Sequence, residues 1–162
     1  MDNIEIKHAS PSDIEELTYY IYKYKLDGEN ISHEQFKIAK AGEKLAGFGR
    51  IKRYNEVFEL CSVGVIEEFR NNKIGTKLVN NLIETFPGQE IWLTTRNFEY
   101  FQRFGFQKCH TPPEEIKLKQ QKLCQKLNGD INSCHYMLLK KNNRNQICST
   151  KSCSLDKCEK ND

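Results

Sequence analysis

The stretch Val57-Phe58-Glu59-Leu60-Cys61-Ser62-Val63-Gly64-Val65-Ile66 is apolar at both of its alternating sets of positions, with one carboxylate as the exception. A strand of that pattern is covered on both faces, which makes it central to its sheet. It runs into Arg70-Asn71-Asn72-Lys73-Ile74-Gly75-Thr76. From Ile74 a helical pattern puts Ile74, Leu78, Leu82 and Phe86 on one face until Pro87-Gly88 stops it. A central strand, a basic loop and a helix therefore follow one another, and the rest of the chain has to be built around them.

Upstream, Ile4-Glu5-Ile6 alternates like a short strand, and Ser10-Pro11-Ser12-Asp13 is a helix start. Ser10 is the N-cap, Pro11 takes the first helical position and Asp13 closes a capping box. Ile14, Leu17, Ile21 and Tyr24 share the face of the helix that follows, and Asp27-Gly28 ends it. Phe36 to Val65 has strand character, with hairpin turns at Ala41-Gly42-Glu43 and Arg53-Tyr54-Asn55, an antiparallel meander. Downstream come a buried strand at Ile91-Trp92-Leu93-Thr94, a short helix over Phe98 to Phe104, and a strand entered through Gly105-Phe106. Pro112-Pro113 opens a lysine-rich amphipathic helix to about Leu127, and His135-Tyr136-Met137-Leu138-Leu139 is the last strand. The order predicts an α/β (α+β) fold with a mixed central sheet.

A chain of 162 residues suits one domain with a core of its own, expected over residues 1 to 140. Residues 141 to 162 turn polar and carry Cys148, Cys153 and Cys158, which reads as a disordered tail. Their C-x4-C spacing lacks a second tight pair or a histidine, so no metal is expected. Seven cysteines in all, the first of them in apolar runs, favour a reducing compartment. No run approaches the about twenty apolar residues of a membrane span, and the start has no signal-peptide pattern. A cytoplasmic location follows as the default. A net charge of +3 on a chain of mixed signs does not indicate nucleic acid. The lysines from Lys117 to Lys160 lack interleaved aromatics and read as a solvated face. Oligomeric state stays open, a homodimer included.

The basic loop suits a phosphate group. A helix N-terminus offers unpaired N–H groups and the positive end of its dipole. Asn71, Asn72 and Gly75 tolerate left-handed angles, Gly75 lets backbone come close, and Arg70 and Lys73 add charge. At these residues the chain resembles the GCN5-related N-acetyltransferases (GNAT family), whose pyrophosphate loop has the form Arg/Gln-x-x-Gly-x-Gly/Ala. Arg70 and Gly75 match its ends, with Lys73 in place of the first glycine. Together with Phe101-x-x-x-Gly105-Phe106, the resemblance covers about residues 3 to 140. It implies a GNAT fold with helices on both faces of the sheet and acetyl-CoA as co-substrate. Pantetheine would lie along Val63, Gly64 and Val65, and the pyrophosphate on the amides of Arg70, Asn71, Asn72, Lys73, Ile74, Gly75 and Thr76.

A narrower likeness joins Glu59 to Val65, Phe69-Arg70, Leu93-Thr94-Thr95-Arg96 and Tyr100-Phe101-Gln102-x-x-Gly105-Phe106. These segments look like the catalytic domain of bacterial N-acetylglutamate synthases. Those enzymes, like this chain, have phenylalanine where many family members have a tyrosine acid, here Phe101. They usually carry an amino-acid-kinase-like domain ahead of this one, where arginine binds; the sequence opens at the acetyltransferase segment, so arginine feedback by that route is not expected. Their arginine-rich, substrate-gripping segment after the first helix falls near Lys23 and Lys25.

Acetyl transfer needs a base for the amine, a donor for the oxyanion and a proton for the leaving thiolate. Glu59 is the candidate base, because a desolvated carboxylate is a better proton acceptor near neutral pH. Its structural alternative is an ion pair with Arg50 or Lys52 on the neighbouring strand. A backbone amide near Val63 is the family's oxyanion donor, and Thr94, Thr95 or a water could be the acid. Arg96, just past a strand end, suits a substrate carboxylate. The expected reaction is acetylation of a small amine, an amino acid such as glutamate in particular. A protein or polyamine acceptor, or an acyl-CoA-binding module without turnover, are the alternatives.

Overall fold

A computed structural model describes residues 3–141; the tail with Cys148, Cys153 and Cys158 lies outside the described residues. The elements are β1 (Ile4–His8), α1 (Ile14–Lys23), β2 (Phe36–Ala41), β3 (Lys44–Tyr54), β4 (Val57–Val65) and α2 (Ile74–Thr85). There follow β5 (Glu90–Thr95), α3 (Phe98–Gln102), β6 (Gln107–Lys108), α4 (Glu114–Leu127) and β7 (His135–Lys140). They form a mixed α/β fold, predominantly antiparallel. Two compact units make up the described residues: one runs to Lys52 and resumes from Leu60 to Pro87, and the other comprises Arg53–Glu59 and residues 88–141.

In the first unit the strands lie in the order β1-β2-β3-β4. β1 and β2 pair antiparallel with Ile4 opposite Ala41, and β2 and β3 with Phe36 opposite Arg50. The capping box forms as the Ser-Pro-Ser-Asp pattern predicts: Ser10 N–H donates to the Asp13 carboxylate at 2.8 Å, and Asp13 N–H to the Ser10 carbonyl at 3.0 Å. A single 3-10 turn, Pro11–Asp13, intervenes before α1 begins.

Alternation along β2 serves two cores. Phe36 and Ile38 join Leu17 and Ile21 of α1, with Leu45 and Phe48. Ala39 and Ala41 join Ala46 and the α2 residues Ile74 and Leu78. The two helices therefore cover opposite faces of this unit's strands. The α2 side is lined with small residues, which lets that helix lie close. A Cβ on Gly47 would sit 2.9 Å from a Leu78 methyl, and one on Gly49 would sit 3.0 Å from a Leu82 methyl.

In the second unit β5, β7 and β6 lie side by side, antiparallel, with Thr94 opposite Tyr136 and Gln107 opposite Leu138. The start of β4 runs parallel to β5, with Glu59 opposite Trp92. Trp92, Cys109 and Ile116 of α4 form a core joined by Tyr54, Val57, Tyr136 and Leu138. Cys61, Cys109 and Cys124 are buried free thiols, and Cys134 is half-buried. Among the described residues no helix is long and apolar enough to cross a membrane.

Candidate functional site

In the first unit, β4 ends at Val65, a 3-10 turn spans Glu67–Phe69, and α2 starts at Ile74. Between them Asn71 and Lys73 take left-handed angles, φ 67° and 59°. Asn71 behaves as the sequence suggests, but the second left-handed residue is Lys73, and Gly75 lies inside the helix. Lys73 stands where the family motif has its first glycine, so it adopts a conformation that a side chain disfavours. It is the N-cap of α2, and its side chain makes no cap hydrogen bond. A helix start of this kind presents first-turn N–H groups and the positive end of its dipole, a setting that suits an anion.

The loop's side chains divide between structure and charge. The Asn72 amide donates back to the carbonyls of Phe69 and Arg70, 3.2 Å each, and so holds the turn. Arg70 donates from Nε to the Val65 carbonyl at 3.1 Å, and its guanidinium lies 5.4 Å from the Tyr24 ring centre. Tyr24 in turn donates to Glu67 at 2.5 Å, and Lys23 pairs with the same carboxylate at 3.1 Å. Burial, then the bond to Glu67, pushes the Tyr24 phenol up to about 12. That bond is the main reason the Glu67 carboxyl is held down at about 2. Lys23 is thus committed to Glu67 beside three tyrosine rings. Lys25 is exposed in a left-handed residue after α1.

Glu59 lies in the second unit and is fully buried. The ion-pair partner of Glu59 comes from α4, whereas the sequence alternative sought it on the neighbouring strand. Its Oε1 lies 2.6 Å from Nζ of Lys119 on α4, and its Oε2 accepts from the Tyr54 hydroxyl at 3.1 Å. Lys119 is 9% exposed, so this part of α4 is not the solvated face its lysines suggest. The signal was present: Ile116, Lys119 and Gln120 share a helical face, and all three are buried.

Arg50 and Lys52 meet Asp27 instead, in the first unit. Asp27 Oδ2 is 3.4 Å from Arg50 Nη2 and 3.0 Å from Lys52 Nζ. The Arg50 guanidinium also donates to the carbonyls of Asp27, Glu29 and Asn30, to the Gln35 side chain and to the Ser62 hydroxyl. Ser62 itself sits in β4 with φ 52° and donates to the Asp27 carbonyl at 2.8 Å. The cluster fastens the segment between α1 and β2 onto the strands. Strand period points to it, since Phe48, Arg50 and Lys52 alternate onto one face and two cations there require an anion.

At the end of β5 the threonines differ. Thr95 Oγ1 accepts from the Asn97 N–H at 3.0 Å, a local turn bond, whereas Thr94 Oγ1 is buried and has no hydrogen-bond partner among the described residues. Arg96 is exposed, and its Nη2 lies over Gly129, 3.1 Å from where a Cβ would be. Phe101 packs edge-on to Tyr100 with ring centres 5.0 Å apart. Val63 and Val65 are half-buried at the end of β4, and Gly64 is closed off by Phe48 on its side-chain face.

The model of the acetyltransferase (GNAT) family matches residues 3–106. The chain belongs to that family and is an acyltransferase. No curated protein matches the sequence. Among solved structures it resembles Rv2747 from Mycobacterium tuberculosis, solved with CoA, at 19% identity and TM-score 0.66, covering 85% of this chain and 99% of that one. It also resembles Neisseria gonorrhoeae N-acetylglutamate synthase, solved with coenzyme A and N-acetyl-glutamate, at 15% identity and TM-score 0.63. That match covers 86% of this chain but 35% of the synthase. The Escherichia coli ribosomal-protein-S18-alanine N-acetyltransferase is similar at 14% identity and TM-score 0.58, over 89% of this chain and 99% of that one. At these identities the likeness is one of fold.

Proposed function

We propose that this acyltransferase moves acetyl from acetyl-CoA to the amine of a small molecule, an amino acid by preference, with Glu59 as general base. The observation that carries the reading is a fully buried carboxylate on the strand that leads to a helix start whose N-cap side chain makes no cap bond. In the first unit, first-turn amides of α2 with Arg70 and Lys73 suit the diphosphate of the coenzyme. In the second, Glu59 removes the amine proton so that nitrogen can attack the thioester carbonyl, and the C–S bond breaks as the tetrahedral intermediate collapses. Arg96, exposed past the end of β5, suits the carboxylate of an amino-acid acceptor.

The experiment mixes the protein with acetyl-CoA and a panel of amino acids, polyamines and peptides, and identifies products by mass spectrometry. Acetylated amino acid is the expected product; acetylated peptide or polyamine alone would reassign the acceptor. Glu59→Gln is expected to lower kcat by about 100-fold or more with the affinity for coenzyme A unchanged. Full activity in that variant would remove Glu59 from the chemistry.

A further inference from the structure

Glu59 is 0% exposed, with a charged group against one oxygen and a hydroxyl donor on the other. The Lys119 ammonium stands against Oε1 at 2.6 Å, and the Tyr54 phenol donates to Oε2 at 3.1 Å. A general base must come within hydrogen-bond reach of the proton it takes, directly or through one intermediary. Lys119 has no lone pair to offer while it is charged, so it cannot carry a proton toward the carboxylate. A phenol can accept one proton as it gives up another. Tyr54 is the half-buried member of the group, and its ring packs against the Trp92, Cys109 and Ile116 core.

We propose that Tyr54 is a catalytic residue: its oxygen takes the proton of the attacking amine while its own proton passes to Glu59 Oε2. This rests on the reading of Glu59 as the base. The N–C bond forms, the C–S bond breaks and its electron pair leaves on the coenzyme sulfur, which is protonated from water. Glu59 returns its proton to solvent through the same phenol. Because the two transfers are coupled, no free tyrosinate need form, which matters for a group whose ordinary pKa is about 10. Lys119 holds the carboxylate charge in its dry setting and orients it, a positioning role. Titratable groups around the pair include Lys119 from α4, Cys109, which packs in the same core as Tyr54, and Tyr136 of β7, which interacts electrostatically with Lys119, Cys124 and Cys134.

The test uses the full chain with acetyl-CoA and L-glutamate, or in its place the amine of the panel that gives most product. Tyr54→Phe is expected to lower kcat by about 100-fold or more, and Tyr54→Phe with Glu59→Gln to be no slower than the slower single variant. A calorimetric titration with coenzyme A checks that Tyr54→Phe is folded. Should it fold poorly, 3,5-difluorotyrosine at position 54 keeps the hydroxyl and the shape. A relay then moves the alkaline limb of the rate profile to lower pH, and a merely structural phenol leaves that limb in place. If Glu59→Gln is slow while Tyr54→Phe keeps kcat, or the fluorinated protein keeps its profile, the relay is overturned and the base stands. If Glu59→Gln is fully active, or the unaltered chain acetylates no amine of the panel, the base reading falls and the relay with it.

Discussion

Lys73 is held at φ 59°, a region that costs a residue with a side chain about 1–2 kcal/mol and glycine almost nothing. Replacing it by glycine also loosens the unfolded chain, which takes back about 0.4–1 kcal/mol. Lys73→Gly should therefore stabilise the protein by roughly 0.5–1 kcal/mol in urea unfolding, and raise the KM for acetyl-CoA because a cation is lost beside the diphosphate. An unfolding midpoint lower than that of the unaltered chain would show that the lysine is held by contacts that outweigh its strain. Asp27 is the second residue whose chemistry decides an outcome. It is 4% exposed and faces both Arg50 and Lys52, so Asp27→Asn leaves two buried cations without their carboxylate. A loss of about 3–5 kcal/mol is expected from the unfolding curve, since breaking a buried pair strands its charge. Glu59 could be singled out from the sequence because one acid interrupts an apolar strand; its partner Lys119 lies 60 positions further on, and only the helical face it shares with Ile116 sets it apart from the other lysines of α4.

At the scale of elements, periodicity carried most of the fold. The capping box, the faces of α1 and α2, and the meander all follow from patterns within about twenty residues. What local pattern does not contain is the left-handed Ser62 within β4, which is held by Arg50 and Asp27 from distant segments. The same limit applies to Lys23, which only the resemblance to the glutamate synthases singles out and whose ion-pair partner, Glu67, comes from the turn after β4. That pairing links α1 to the turn, and its pH dependence has a definite sign. Glu67 falls from an ordinary 4.5 to about 2, so its contribution is complete above pH 4.5 and is lost as pH falls toward about 2. Tyr24 rises from 10.0 to about 12, so its contribution is complete below pH 10 and is lost as pH rises through about 12. Tyr24→Phe should lower Tm at neutral pH, and the gap to the unaltered chain should narrow between pH 4.5 and 3. A gap that stays constant over that range would mean the hydroxyl acts through packing alone.

For the molecule as a whole, family and fold restrict the reaction class, while the acceptor depends on side chains that no pattern ranks. On the proposed assignment, the acid–base groups and the coenzyme-binding groups differ in their exposure. The carboxylate–ammonium pair inside the second unit is sealed from mobile ions, whereas Arg70 and Lys73 are open to them. Screening shortens from about 8 Å at physiological ionic strength to about 3 Å at 1 M. Added potassium chloride should thus dull the enzyme's hunger for its coenzyme and leave its speed at saturation untouched, so brine becomes a way of dissecting grip from turnover in a single titration.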